Sequence, residues 1–174
     1  ALPACKFELV ARVDSDDRSL HDRFQNQLDV LENMPNISVI GGGLKEWHDR
    51  RGQLYPTFRV GPKTHEDILK AAKFRNPINH QSVMFRKDDV ILSGNYEDCP
   101  SFEDYFLWAK MLMSGYHLAN LPRILVETDV DSEYFSRRGG IAYVRKELFL
   151  LEKLRKIGFL SLVDIGIFIF SRLP

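Results

Sequence analysis

One stretch constrains this chain more than any other: Leu9-Val10-Ala11-Arg12-Val13-Asp14-Ser15-Asp16-Asp17. Residues 7–13 read as a buried strand, and it runs straight into three carboxylates within four positions. A strand that delivers Asp-x-Asp-Asp into a turn gathers negative charges whose mutual repulsion costs energy. Two readings of that turn are open. A cation can neutralise the cluster, and oxygen ligands of this kind suit Mg²⁺ or Mn²⁺. Alternatively the stretch is a polar turn before a helix, whose N-terminus favours Asp on its own account.

The remainder of the chain alternates strands with helices, which predicts an α/β domain. Ser19 offers a capping box with Asp22 in place of Glu. Leu20, Phe24, Leu28, Leu31 and Met34 then mark the inner face of a helix that Pro35 ends. Ser38-Val39-Ile40 predicts a short strand, and Gly41-Gly42-Gly43 allows a turn or a close backbone approach. Residues 44–48 and 53–60 predict two strands around the turn at 49–52, and Thr64 caps a helix to about Phe74. A strand at 82–85, a turn or short helix near 87–92 and a helix from about Phe102 to Gly115 follow. Short strands are expected at 116–120 and 124–128, then a polar loop at 129–140 and a helix from Ile141 to Lys156.

Composition narrows the class of partner. Lys plus Arg and Asp plus Glu both number 24 in 174 residues, so the formal net charge is zero. That argues against a nucleic-acid binder, which carries a basic excess or stripe. Cys5 and Cys99 have neither metal-site spacing nor the density of a disulfide scaffold, and a reducing, cytoplasmic setting is the simplest fit. No apolar run reaches the ~18–20 residues needed to span a bilayer. No signal peptide is visible and the first residue is Ala, so the expectation is a piece of a longer protein.

Two other acidic motifs are excluded by their spacing. A calcium loop of the EF-hand type needs Gly at its sixth position and Glu at its twelfth, and counting from Asp14 those are Ser19 and Gln25. Acid-nucleophile phosphatases also set two Asp after a strand, but the residues beyond Asp17, beginning with Arg18, do not fit them. What remains is a strand-end metal site serving a phosphorylated ligand.

Three further groups can carry chemistry, each with a plainer alternative. Glu103-Asp104 opens a helix, where two acids complement the macrodipole. Set among Phe102, Tyr105, Phe106 and Trp108, a carboxylate there can equally have its pKa raised and serve as a general base. Asn79-His80 and Gly94-Asn95-Tyr96 are loop residues suited either to ligand contact or to turn formation. Arg137-Arg138-Gly139-Gly140 suits phosphate through guanidinium forks, or is a solvated basic turn.

The order of these pieces is more specific than any of them. ARVDSDD, RFQNQL, a strand reaching IGG, RNPINHQSVMFRK, SGNY, EDYFLW, NLP and RRGG together resemble the family 2 glycosyltransferases. The nearest subgroup is the bacterial enzymes that build capsule, exopolysaccharide and lipopolysaccharide, and the similarity runs over residues 8–158. The resemblance implies a GT-A fold, a Rossmann-like mixed sheet flanked by helices. Residues 1–158 would form the C-terminal two-thirds of that domain, and 159–174 an apolar C-terminal helix able to lie at a membrane interface. It further implies that Asp14 and Asp16 hold Mn²⁺ or Mg²⁺ and, through it, the diphosphate of a UDP-linked sugar, with Asp17 in support. Asp104 would be the catalytic base of an inverting transfer to a glycan or lipid-linked glycan acceptor, with Glu103 beside it. Asn79, His80, Gly94 and Tyr96 would line the substrate side, and Arg137 and Arg138 would close over the diphosphate. On that footing the protein works in the cytoplasm, against the inner face of the membrane. Three departures stand out: only Ala1 to Lys6 stand where the end of the family's first, nucleobase-holding β-α-β region is expected, Gly94-Asn95 where the family has two Gly, and acidic Glu127-Thr128-Asp129 where Arg is common. The competing classes are a non-catalytic nucleotide- or carbohydrate-binding remnant and a membrane-docked assembly subunit.

Overall fold

The computed structural model describes residues 2–130 and 139–170. Six strands form one mixed sheet: β1 (Leu9–Ala11), β2 (Arg18–Ser19), β3 (Ile37–Arg50), β4 (Gln53–Arg59), β5 (Met84–Arg86) and β6 (His117–Val130). Their order is β1-β5-β3-β6-β2, with β4 also paired to β3. Only β3 and β6 run parallel, and every other pair is antiparallel. The described residues also form six α-helices: α1 (Arg23–Asn33), α2 (His65–Ala71), α3 (Lys87–Leu92), α4 (Glu103–Met113), α5 (Gly140–Lys156) and α6 (Leu162–Phe170). The mixed α/β architecture is compatible with the GT-A expectation.

Because successive strand residues face opposite sides, the sheet serves two cores. Val10, Phe85 and Val39 lie in register across three strands and join the larger core around α4. Their neighbours Ala11, Met84 and Ile40 turn to the other face, where Leu31 of α1 covers them. The helix α4 is the centre of the larger core, with Tyr105 to Ala109, Met111 and Leu112 all buried. It ends at Ser114 before Gly115, which holds a φ of 82°.

Several local expectations change. Ser19 does not cap a helix: it pairs with Val126 in β2, and α1 begins at Arg23 with no side-chain cap from Asp22. Nor do Phe24 and Met34 face inward, being 41% and 48% exposed. The buried face of α1 is Arg23, Gln27 and Leu31, because the surface beneath this helix is lined with strand-end carbonyls that need donors. Arg23 Nη2 donates to Arg12 O at 2.7 Å, and Gln27 Nε2 donates to both Ile40 O and Ser82 O at 2.8 Å. The strand β1 is half-buried rather than buried.

The expected pairs of short strands are two continuous ones. β6 passes through Leu121-Pro122-Arg123, where its register against β3 shifts between Gly41 and Gly43. A bulge tolerates a proline that cannot donate to the ladder. The three glycines are therefore not a turn but a close approach inside β3. A Cβ on Gly42 would lie 2.4 Å from Leu125 Cδ1, and one on Gly41 would lie 2.4 Å from Asn120 Oδ1.

Gly42→Ala should accordingly destabilise the fold by roughly 1–3 kcal/mol, as overpacking does. Urea unfolding measures it, and pairing the change with Leu125→Ala should cost less than the two single changes summed. An unaltered midpoint for Gly42→Ala would contradict the close approach.

Candidate active site

The site forms where β1, the loop before β5 and the start of α4 converge. β3 pairs with β5 through Val39 and Ile40 and with β4 from Leu44 onward, which leaves Gly42 between two partners. Side chains fill that gap. Gly42 N donates to Ser82 Oγ at 3.0 Å, and Asn79 Nδ2 donates to Gly42 O at 2.8 Å. The 3-10 turn His80–Ser82 is thereby fixed against the sheet. Arg12 N in turn donates to Val83 O at 3.0 Å, which sets the end of β1 beside that turn.

A hydrogen-bonded chain crosses the resulting cleft. Arg12 Nε donates to Asp14 Oδ1 at 3.0 Å, and its Nη2 lies 2.9 Å from the same oxygen. Arg12 Nη1 donates to His80 Nε2 at 2.9 Å, and the Tyr96 hydroxyl lies 3.0 Å from that nitrogen. On the far side of the ring His80 Nδ1 is 3.9 Å from Asp104 Oδ2, which also accepts from Asn76 Nδ2 at 2.6 Å. The cleft has a volume of about 520 Å³, and Asp14, Arg59, His80, Glu103, Asp104 and Phe168 are among the residues lining it.

Burial governs the protonation of this group. It draws the His80 imidazole down to about 3, with Arg12 adding to the effect, so the ring is neutral near pH 7. It pushes the Tyr96 phenol up to about 12. Burial also raises Asp104 above the ordinary Asp range, although the Asn76 hydrogen bond and the backbone amides of the helix start pull the other way. Asp17 is raised as well, first by burial and then by Asp14 and Asp16, against the opposing pull of Thr128 and Arg23. Its Oδ2 is buried without a hydrogen-bond partner among the described residues.

Known proteins carry related sequences. The chain is 34% identical over 162 residues, 91% of its length, to the amylovoran biosynthesis glycosyltransferase AmsE of Erwinia amylovora. It is 34% identical over 167 residues, 96% of its length, to an uncharacterized glycosyltransferase of Haemophilus influenzae. It is 31% identical over 172 residues, 99% of its length, to the Escherichia coli UDP-Gal:alpha-D-GlcNAc-diphosphoundecaprenol beta-1,3-galactosyltransferase. The chain spans 60%, 61% and 62% of these relatives' own lengths. No family model matches it. Over nearly its whole length this chain is similar to bacterial glycosyltransferases.

Most of the residues expected to form a glycosyltransferase site come together. Asp14, His80, Glu103 and Asp104 line one cleft, and Tyr96 closes on it through His80. Asp16 is exposed at the tip of the acidic turn. Asn79 lines the cleft too, but its amide is committed to the carbonyls of Gly42 and Arg59, so it shapes the wall. Gly94 and Asn95 both take positive φ, 91° and 56°, and Lys110 Nζ donates to both of their carbonyls. Asn95 Oδ1 in turn accepts from Tyr96 N at 2.8 Å. Arg137 and Arg138 lie outside the described residues.

Two members of the network had no role assigned from sequence. Arg12 is an ionised side chain interrupting an apolar strand two residues before an acid, which is itself a signal. Asn76 carried no such mark, because its bond to Asp104 joins positions 28 residues apart.

The raised Asp104 carries a sign for stability. A carboxyl whose folded pKa lies above its unfolded value holds the folded state back at pH above both and ceases to do so as pH falls through them. Asp104→Asn should therefore raise the urea midpoint at pH 7, and the gain should vanish in acid. A midpoint at pH 7 equal to the parent's would refute the burial argument.

Proposed function

We propose that this chain forms the catalytic cleft of a metal-dependent, inverting glycosyltransferase of family 2. It moves a sugar from a UDP-linked donor to a glycan or lipid-linked glycan acceptor in bacterial surface polysaccharide assembly. The observation that carries this reading is the placement of Asp104, a buried carboxylate of raised pKa, in the same cleft as the acidic turn at Asp14. The Escherichia coli relative, whose name specifies a UDP-Gal donor and a diphosphoundecaprenol-linked acceptor, supports the substrate classes.

In this reading Asp104 accepts the proton of an acceptor hydroxyl as that oxygen attacks the anomeric carbon. The bond to the nucleoside diphosphate breaks on the opposite face, so the configuration inverts. A carboxylate made more basic by burial, held by Asn76 and facing an open cleft, suits that proton transfer. Glu103 lies beside it on the cleft wall, and Tyr96 and His80 complete the polar side.

The acidic turn has the donor set of a Mg²⁺ or Mn²⁺ site of the kind that takes one or two carboxylates and completes its shell with water and substrate phosphate. Asp14 and Asp16 would hold the ion, and the unpartnered buried Oδ2 of Asp17, whose pKa is raised first by burial and then by its acidic neighbours, supports this reading. Among the described residues no group of three His, Cys, Asp or Glu side chains is arranged to hold a metal by itself, so phosphate oxygens would have to contribute. A cation bound there offsets the charge that builds on the departing diphosphate.

The acceptor side favours an amphiphile. Phe168 of α6 lines the cleft, while Leu162, Val163, Ile167, Ile169 and Phe170 of the same helix are exposed. No helix among the described residues is long and apolar enough to cross a membrane. The helix α6 is suited instead to lying in the interface, which would bring the cleft to a lipid-linked acceptor at the inner face of the cytoplasmic membrane.

Asp104→Asn tests the chemistry. Transfer should fall roughly 10²–10⁴-fold, while calorimetric affinity for UDP with Mn²⁺ stays at the parent value. Full activity in this variant would overturn the assignment of the base. Absence of metal-dependent UDP binding by the parent would overturn the donor site.

A further inference from the structure

The His80 ring sits between the two ends of the cleft, and its hydrogen bonds fix more than its position. Arginine only donates, so the Nη1–H of Arg12 at 2.9 Å requires a lone pair on His80 Nε2. The Tyr96 hydroxyl, 3.0 Å from the same nitrogen, can only share that single lone pair as a second donor. A ring with Nε2 unprotonated carries its one proton on Nδ1. That nitrogen faces Asp104 Oδ2 at 3.9 Å, a separation of the kind that shortens to a hydrogen bond when an active site is loaded.

We propose that His80 is a positioning residue for Asp104: Arg12 holds it in the Nδ1–H tautomer, and it presents a neutral donor to the carboxylate that takes the acceptor proton. The inference rests on the role of Asp104 proposed above. The surroundings hold the ring in one orientation. Trp108 meets it edge to face with centroids 6.0 Å apart, Tyr96 lies 5.5 Å away, and the His80 side chain is only 11% exposed. The backbone is fixed as well, because Ser82 N donates to Asn79 O at 2.9 Å across the same 3-10 turn.

Neutrality is the useful property. An imidazolium this close would favour the ionised carboxylate and weaken it as a base, whereas a neutral N–H orients it at far smaller cost to its basicity. The structure supplies both conditions. The ring is out of water, and the guanidinium on its far edge opposes a second proton. Arg12 also grips Asp14, so one side chain braces the acidic turn and the ring that faces the base.

Imidazole ¹⁵N NMR reads the tautomer directly, without a substrate. His80 should appear as the neutral Nδ1–H form throughout roughly pH 5–8, and an Nε2–H or doubly protonated ring would overturn the proposal. In transfer assays His80→Phe keeps a ring against Trp108 but removes the donor. Its kcat should fall about 10²-fold, the penalty typical of a misplaced reacting group, with the donor KM unchanged. His80→Gln, which restores an N–H, should recover part of that loss. Parent-like kcat in His80→Phe alongside an inactive Asp104→Asn would overturn the positioning role and leave the glycosyl-transfer reading intact. Parent-like kcat in both variants would overturn the two together.

Discussion

The arrangement of this molecule depends on the backbone of Gly42. At that residue β3 has left β5 and has not yet met β4, so a buried N–H and a buried C=O lack ladder partners. Leaving such groups unpaired costs about 1–3 kcal/mol each, and Ser82 and Asn79 satisfy them instead. The loop that supplies those side chains also carries His80, which is how a requirement of the sheet places a residue of the cleft. The absence of a side chain at Gly42 is equally necessary, because Leu125 occupies the space on the other side.

A second set of backbone carbonyls is met from α1. Arg23 is fully buried yet makes no close ion pair among the described residues, and its guanidinium is used on Arg12 O, Val83 O, Ser19 Oγ and Gln27 Oε1. The nearby Asp17 is thereby left with an unpartnered oxygen and a raised pKa. A fold optimised only for stability would have paired these two charges more closely. Perturbed carboxylates of this kind are commoner at functional sites.

The sequence revealed the parts whose logic is local. The strand-then-acid turn, the caps at Thr64 and Gly115, the apolar α4 and the helix from residue 140 follow from neighbours along the chain, and the structure has them. What it concealed is tertiary. Periodicity assigns Phe24 and Met34 of α1 to the core because hydrophobic residues are expected there, but the surface under α1 is polar, and Arg23 and Gln27 win the inner face. Gly41-Gly42-Gly43 is compatible with a turn until the partner strand that crowds it is known. The candidate site follows the same division. Asp14, His80, Glu103 and Asp104 were visible as residue types in motifs, whereas Arg12 and Asn76 act through partners 68 and 28 positions away.

The two ends of the cleft show why such partners matter. Asp14 faces a guanidinium, while Asp104 is approached by an amide and, farther off, by a neutral imidazole. In a poorly solvated cleft the sign of the nearest charge dominates the behaviour of a carboxylate. A cation beside Asp104 would lower its proton affinity and so work against the base role proposed for it, whereas one beside Asp14 carries no such penalty for the charge-binding role proposed there. Setting two carboxylates of one cleft in environments of opposite character is how a single fold separates charge binding from proton transfer. Arg12 fits the division proposed here, since it places its charge on the acidic turn and donates only to the lone pair of the ring between that charge and Asp104.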